Sequence, residues 1–336
     1  MEKRLSKYSV TGKFRCLLIS LWLIIGIFYI HLRKHPDNIR RLKSKKSLLN
    51  NPTFNGNRIS YCSSNNSQTP ILWENLIYLP HLNVLFCNIP KTASTNLRRI
   101  LYLTFNTNFY NRSKEENILE LEKVNRAQVW FNIERQMFDP YYLKNYRDLT
   151  QRLEILESPS IFKFIFVRHP FQRIYSSFRD KFQNDNVDDT MFGWKDLEED
   201  ILTKMSNSTL TWIRRNDIRL DFDTFLKYIV YCIQHDQELN SHWDLIFRRC
   251  SLCHINYDWI GKFERIEKDA SKLLEKFNIS DKVSFPSWKL DQQTKYRIDE
   301  DDLLNLFINN GRKEYQTLSD YYKQDFIAFN YTIHEI

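Results

Sequence analysis

The chain has 336 residues, of which 42% are hydrophobic, so it can bury the core of one large domain. Its 6 glycines and 9 prolines exclude collagen-like and low-complexity architectures. The net charge of +8 comes from the first 70 residues, because the remainder holds 36 basic and 39 acidic side chains. A near-neutral folded part argues against a broad nucleic-acid-binding surface.

The first predicted element is a membrane anchor. An uncharged apolar run reads CLLISLWLIIGIFYI and has Lys and Arg on both sides, so the positive-inside rule does not orient it. Because no small-residue cleavage pattern follows, we predict a signal anchor at residues 16–32 after a cytoplasmic tail at 1–15; a cleaved signal peptide is the alternative. Residues 33–70 are basic and then rich in Asn and Ser, which predicts a flexible stem before a folded domain at 71–336.

The folded domain opens with a strand, a polar loop and a helix. Residues 84–89 form an apolar run that ends at Pro90 and predicts a buried strand, and apolar residues spaced from Leu97 to Thr104 predict a helix. Backbone N–H groups at the start of a helix have no partner within it, and the nearby Lys91 adds a full positive charge. This arrangement predicts a phosphate or sulfate site, although a capped helix with a solvated lysine is the alternative. The residues of the predicted site are Lys91, Thr92, Ala93, Ser94, Thr95 and Asn96.

The polar loop is not a Walker A motif. That motif requires glycines around its lysine, whereas no glycine lies between Gly56 and Gly193. Since glycine adopts left-handed backbone angles most easily, we expect this loop to lack the left-handed turns that wrap a triphosphate.

A second strand and helix follow. Residues 161–167 are β-branched and aromatic, which predicts a strand, and Pro170 suits the first turn of a helix. Arg168 comes directly after the strand, and Ser176 lies off the apolar face of the helix, so the two side chains could hold one phosphate. The alternative is that Arg168 pairs with a carboxylate and that Ser176 is a surface residue. The apolar face consists of Phe171, Ile174, Tyr175, Phe178 and Phe182.

Both anion-binding patterns follow predicted strands. In an open parallel α/β sheet, ligands bind at the edge formed by the carboxyl ends of the strands. Two separate phosphate-binding devices at that edge suit a nucleotide that carries phosphate groups at both ends.

The two segments resemble those of the Golgi carbohydrate sulfotransferases, in the branch that contains the chondroitin and dermatan 4-O-sulfotransferases. Residues 90–99 resemble the family's 5′-phosphosulfate loop, P-K-x-x-x-[ST]-N-W-K-R, with Leu97 and Arg98 in place of the usual Trp and Lys. Residues 167–182 resemble the 3′-phosphate segment, V-R-x-P-F-x-R-L-x-S-A-F-x-[DN]-K-F. Further motifs continue the resemblance in the family's order to residue 331.

The resemblance implies a P-loop-like sulfotransferase fold, in which a central parallel sheet is flanked by helices and preceded by a single transmembrane helix. It also implies a type II protein of the Golgi membrane with a lumenal catalytic domain. The sulfuryl donor would be 3′-phosphoadenosine 5′-phosphosulfate (PAPS), used without a metal. Lys91 would stabilise the oxygen that leaves with the nucleotide, and residues 92–96 would hold the 5′-phosphosulfate. Arg168 and Ser176 would hold the 3′-phosphate.

The acceptor hydroxyl requires a general base. His242 is our candidate, because it lies in a His-Trp motif that resembles the family's and because histidine titrates near neutral pH. A structural histidine packed beside Trp243 is the alternative for this residue. His169 and Glu264 are the other possible bases.

Five cysteines lie outside the predicted anchor, so at least one of them cannot form a disulfide within the domain. The sequence Cys250-Ser-Leu-Cys253-His254 matches the pattern for c-type haem attachment, and its thiols could also contribute to a zinc site. Because the surrounding resemblance is to sulfotransferases and no further zinc ligands are evident, we expect a structural disulfide, whose partners the sequence does not identify.

The expected acceptor is a glycosaminoglycan, with the GalNAc of chondroitin or dermatan first, and a glycoprotein glycan is second. A lumenal glycosyltransferase with a metal-binding D-x-D motif is a rival, but the acidic run at residues 299–302 resembles a helix start. A non-catalytic glycan-binding protein is another rival. Nucleic acid is not an expected partner, and the oligomeric state is left open.

Five N-x-S/T sequons occur in the chain, against roughly 3.5 expected by chance, so their number alone does not identify a secretory glycoprotein.

Overall fold

The computed structural model describes Cys62 and residues 70–124, 129, 138–183, 193–286, 298–309 and 311–333, all within one compact unit. No helix among these residues is long and apolar enough to cross a membrane. The predicted tail and anchor lie outside the described residues, and so does the predicted stem apart from Cys62 and Pro70.

A four-stranded sheet in the order β1–β2–β3–β4 forms the centre of the fold. Its strands are β1 (Leu76–Leu79), β2 (Val84–Cys87), β3 (Phe162–Val167) and β4 (Trp259–Lys262). β2, β3 and β4 are parallel, whereas β1 is antiparallel to β2. The expected parallel sheet is therefore confirmed in its centre and wrong at the β1 edge. Only four residues join β1 to β2, and a connection this short makes a hairpin because a parallel crossover needs a dozen or more.

The central strands are covered on both faces. β2 and β3 are buried along their whole length, as parallel strands between two helical layers are. Phe86 and Phe164 stack at 5.5 Å on one face of the sheet, while Ile165 packs on the other. On β4, Gly261 pairs with Phe166, and a β-carbon at Gly261 would lie 2.3 Å from that ring. Glycine is required there because the aromatic ring lies directly against the backbone.

Most of the other described residues lie in helices. The α-helices are α1 (Ser94–Leu103), α2 (Lys114–Lys123), α3 (Leu149–Glu157), α4 (Pro170–Phe182), α5 (Trp194–Ser206), α6 (Leu210–Arg215), α7 (Phe222–Gln234), α8 (Ile246–Arg249), α9 (Ile266–Lys276), α10 (Glu300–Asn309) and α11 (Arg312–Phe329). Short 3₁₀ turns lie at Trp73–Asn75, Asp139–Tyr141, Leu143–Asn145 and Phe263–Arg265.

α4 buries the apolar face predicted for it, and it begins at Pro170 as predicted. This face packs in one cluster with side chains of α5, α7 and α11. Tyr175 is half-buried at its margin. The members that are no more than 3% exposed are Phe171, Ile174, Phe178 and Phe182.

Two disulfides link distant parts of the chain. Cys62 pairs with Cys253 across 191 residues, and Cys87 pairs with Cys250 across 163 residues. Cys232 is a buried free thiol in α7, so one cysteine is left over as predicted. The two cysteines of the C-x-x-C sequence therefore have different disulfide partners, and neither sulfur is available to haem or zinc.

Candidate active site

The loop between β2 and α1 contains the first group of predicted anion-binding residues. Lys91 has a φ of 70° and Ala93 a φ of 66°, so both adopt left-handed backbone angles. The expectation that a loop without glycine lacks such turns is therefore wrong. Thr92, between them, is 2% exposed and donates its hydroxyl to Ile89 O at 2.9 Å. This local bond helps to hold a conformation that costs a non-glycine residue about 1–2 kcal/mol.

α1 starts directly after this loop. Ala93 occupies its N-cap position, where a methyl group cannot accept the hydrogen bonds that Ser or Asp would. The first backbone hydrogen bond of the helix runs from Leu97 N to Ala93 O at 3.1 Å. The backbone N–H groups before Leu97 therefore have no acceptor within the helix. Ser94 and Asn96 are buried at this end, and Thr95 is half-buried. The helix terminus therefore presents the partial positive charge that attracts an anion.

Arg168, at the end of β3, brings the second segment to this loop. Its Nη1 donates to Lys91 O at 3.3 Å, and its guanidinium carbon lies 4.0 Å from the centre of the Phe263 ring. The two segments therefore meet at the carboxyl edge of neighbouring parallel strands. Ser176, predicted to hold the same phosphate as Arg168, is half-buried further along α4.

The Lys91 ammonium lies beside two residues for which the sequence predicted no role. Lys91 Nζ is 3.2 Å from Asp180 Oδ2, and Lys181 Nζ is also 3.2 Å from that oxygen. Asp180 and Lys181 belong to the last turn of α4, and each side chain is 6% exposed. Lys181 Nζ in turn lies 4.6 Å from the centre of the Trp194 ring. A continuous line of contacts thus leads from the Lys91 loop to the start of α5.

His242 continues this line of contacts. Its ring meets the Trp194 ring edge-to-face at 4.9 Å. Asn240 Oδ1 lies 2.8 Å from His242 Nδ1 and 3.0 Å from His242 N. Because the backbone N–H can only donate, the Asn240 atom that faces it is the acceptor oxygen, and Nδ1 must carry a proton. The neutral ring therefore has its lone pair at Nε2, as a general base requires.

α4 also holds the backbone of His242. Arg173 Nη1 and Ser177 Oγ donate to His242 O at 3.0 and 2.8 Å. Arg173 is 1% exposed and donates in addition to Ser241 O and Asp244 O. One helix therefore both contributes the Asp–Lys pair and positions the histidine.

The other two candidate bases lie in a different environment. His169 is 8% exposed, and its ring packs against Phe326 and Tyr331 at 5.2 and 5.4 Å. Glu264 accepts hydrogen bonds from His169 N and Tyr331 Oη, both at 2.8 Å. Burial, reinforced by the neighbouring Glu264 carboxylate, raises the pKa of Tyr331 well above its usual value. His169 and Glu264 thus anchor the C-terminal segment against the end of the sheet.

The acidic run that a D-x-D motif would use lies at the start of α10. Asp302 N donates to Asp299 Oδ1 at 2.7 Å, which is the geometry of a helix N-cap. In the ranges that the structure describes, no group of three or more His, Cys, Asp or Glu side chains is placed to hold a metal ion.

Comparison with known proteins identifies the family. The model of the sulfotransferase family matches residues 74–332. Carbohydrate sulfotransferase 11 of Mus musculus is 29% identical over 267 residues, which cover 79% of this chain and 69% of that protein. Carbohydrate sulfotransferase 12 of Mus musculus is 25% identical over 310 residues, which cover 89% and 70%. Carbohydrate sulfotransferase 9 of Homo sapiens is 27% identical over 252 residues, which cover 74% and 51%.

No solved structure gives a significant match to the chain. The family match covers most of the chain and includes both strand–helix segments that meet at Lys91 and Arg168. It confirms the resemblance seen in the sequence. The protein therefore belongs to the sulfotransferase family.

Proposed function

We propose that this protein is a PAPS-dependent carbohydrate O-sulfotransferase. Family membership makes it a sulfotransferase, and the names of its relatives support a carbohydrate acceptor. The observation that carries the proposal is the 3.3 Å contact between Arg168 and the Lys91 loop, at the start of α1. That contact gathers the groups that would bind both ends of an anionic nucleotide.

The residues around the loop suit an anionic sulfuryl donor. Lys91 supplies a point charge, and the start of α1 supplies backbone N–H groups with a partial positive charge. The Arg168 guanidinium packs against the Phe263 ring, its carbon 4.0 Å from the ring centre, and a guanidinium can contact a phosphate through two N–H groups. These features support PAPS as the donor without requiring a glycine-rich loop.

The proposed chemistry is a single displacement at sulfur. The acceptor oxygen forms a bond to sulfur while the bond from sulfur to the bridging oxygen breaks, and its electron pair stays on the nucleotide phosphate. Lys91 stabilises the negative charge that develops on that bridging oxygen. His242 Nε2 accepts the proton of the acceptor hydroxyl. Residues 92–96 orient the 5′-phosphosulfate, and Arg168 and Ser176 hold the 3′-phosphate.

Hydrogen bonding favours His242 over the other candidate bases. Its Nδ1 is tied to Asn240 at 2.8 Å, so the ring presents Nε2, and the side chain is only half-buried. Each oxygen of the Glu264 carboxylate instead accepts a hydrogen bond, one from the backbone N–H of His169 and one from the Tyr331 hydroxyl. The His169 ring is buried against Phe326 and Tyr331.

We further propose that the protein works in the Golgi lumen on an N-terminal anchor at residues 16–32. Two disulfides support an oxidising compartment. The acceptor favoured by the resemblance is the GalNAc of chondroitin or dermatan. The asparagines of the four sequons within the described residues are all exposed, as N-glycosylation requires: Asn111, Asn207, Asn278 and Asn330.

The test is transfer of labelled sulfate from PAPS by the purified full-length protein. Chondroitin, desulfated dermatan and a desulfated N-glycan serve as separate acceptors, and we expect transfer to chondroitin or dermatan. Lys91→Ala should lower kcat by about 100-fold or more, the effect of losing one contact made in the transition state.

Lys227→Ala is the matched control for the loss of a lysine. Lys227 also pairs with an aspartate, Asp223 at 2.6 Å, but on the exposed surface of α7, so kcat should not change. Absence of transfer from PAPS to any of these sugars, or near-normal turnover of Lys91→Ala, would contradict the proposal.

A further inference from the structure

Lys181 occupies an unusual position next to Lys91. Its side chain is 6% exposed, although lysine is almost never fully buried without a specific partner. Its Nζ lies 3.2 Å from Asp180 Oδ2, the same oxygen that Lys91 Nζ reaches at 3.2 Å. Two ammonium groups that share one oxygen can be no further apart than the sum of these distances. Lys91 therefore has a second cation beside it.

Lys181 also lies on the route from the Lys91 loop to the histidine. Its Nζ is 4.6 Å from the centre of the Trp194 ring, and the same ring meets His242 at 4.9 Å. The group to be transferred must pass between the leaving oxygen, which Lys91 contacts in the proposed function, and the hydroxyl whose proton His242 accepts. Lys181 is therefore linked by contacts to both sides of the site, through Asp180 to Lys91 and through Trp194 to His242.

We infer that Lys181 is a second catalytic cation, which contacts the oxygens of the sulfuryl group in bound PAPS and throughout its transfer. Asp180 is the positioning residue that holds both ammonium groups, and Trp194 fixes the direction of Lys181. This inference rests on the proposed function.

The two lysines stabilise different negative charges in the displacement. Negative charge develops on the bridging oxygen as its bond to sulfur breaks, and Lys91 neutralises it. The three sulfuryl oxygens carry the remaining charge while both bonds to sulfur are partial, and a fixed ammonium stabilises that charge without reorganising. Lys181 takes no proton from the acceptor in this step, because that proton passes to His242.

The inference predicts a difference between two nucleotides. PAP, the product 3′-phosphoadenosine 5′-phosphate, has no sulfuryl group, whereas PAPS has one. Lys181→Met in the full-length protein should bind PAP with a Kd within about threefold of wild type and should bind PAPS at least about tenfold more weakly. Its kcat should fall by about 100-fold. A lysine with only a structural role would weaken PAP and PAPS equally.

Three variants complete the experiment. Lys181→Arg keeps the charge and should retain kcat within about tenfold of wild type, whereas Lys181→Gln should be as slow as the methionine variant. Lys204→Met is the matched control, because Lys204 also lies over an aromatic ring, that of Tyr231 at 4.5 Å, and its activity should stay at the wild-type level.

The inference is overturned if Lys181→Met loses PAP and PAPS affinity by the same factor, or if it retains near-normal kcat. It is also overturned if the arginine and glutamine variants are equally slow; that comparison decides the matter if the methionine variant does not fold. Failure of the proposed function looks different, because the wild-type protein itself would then neither bind PAPS nor transfer sulfate.

Discussion

Replacing Arg173 with methionine removes a buried guanidinium while keeping most of its volume. That guanidinium donates to Ser241 O, His242 O and Asp244 O. His242 O keeps the hydroxyl of Ser177, so the penalty falls on the other two carbonyls, and each buried carbonyl that loses its donor costs about 1–3 kcal/mol. Loss of the donor at both carbonyls should therefore lower the free energy of unfolding by about 4 kcal/mol.

The same substitution should change how stability depends on pH. Burial raises the pKa of Asp325 to about 6, and the nearby Arg173 opposes this shift, so removal of Arg173 raises the pKa further. A carboxyl whose pKa rises on folding stabilises the folded state while protonated, and this stabilisation is lost as the pH rises through the folded pKa. The stability lost in Arg173→Met is therefore expected to be larger at pH 7 than at pH 5.

Urea denaturation at the two pH values measures both effects, and kcat reports whether His242 stays in position. Arg179→Met is the control on the same helix, because the Arg179 guanidinium lies 3.5 Å from Tyr175 Oη at a half-buried surface. That variant should lose no more than about 1 kcal/mol. If the free energy of unfolding of Arg173→Met lies within about 1 kcal/mol of the wild-type value, the Arg173 guanidinium does not hold the backbone around His242 in place.

Two further predictions concern the loop and the buried carboxyl. Ala93→Gly relieves a φ of 66° and should raise the free energy of unfolding by about 1 kcal/mol, whereas Ala328→Gly, inside α11, should lower it by about 1 kcal/mol or more. If urea denaturation shows that both glycine substitutions lower the free energy of unfolding by similar amounts, the backbone at Ala93 is not strained. Asp325→Asn removes a carboxyl with a pKa of about 6. Protonation of this carboxyl stabilises the folded wild-type protein, so its free energy of unfolding should rise by about 1 kcal/mol relative to that of the variant when the pH falls from 7 to 5. Parallel pH profiles of the two proteins would exclude Asp325 as the titrating group.

The sequence predicted those parts of the fold whose determinants are local. The apolar run of β3, the proline that opens α4 and the helical period of its apolar residues are all set by near neighbours in the chain. The meeting of Arg168 with the Lys91 loop follows from one general property of parallel sheets, because neighbouring strands end at the same edge.

The remaining features depend on contacts between residues that are far apart in the sequence. Left-handed angles at Lys91 and Ala93 are held by the surrounding fold, although residue type disfavours them. Trp194 joins Lys181 to His242 across separations that no local period reveals. The sequence also gave no sign of the pairing partners of the cysteines, since both disulfides close very long loops.

Asp180 and Lys181 illustrate an intermediate case. Both lie in the segment that resembles the family's 3′-phosphate motif, so the sequence contained a signal for them. Adjacent residues on a helix do not face each other, however, and a helical projection alone gives no reason to bring both side chains to Lys91. Only the position of α4 relative to the β2–α1 loop places them there.

The Cys87–Cys250 bond makes the assembly of the candidate active site depend on the redox conditions under which the chain folds. One of its sulfurs ends the strand that leads to Lys91, and the other follows His242 by eight residues. Thiol-reducing conditions, such as those of the cytosol, would leave these two regions without their covalent link. Oxidation of these two thiols is therefore a step in the maturation of the protein, and recombinant production calls for a host compartment that forms disulfides.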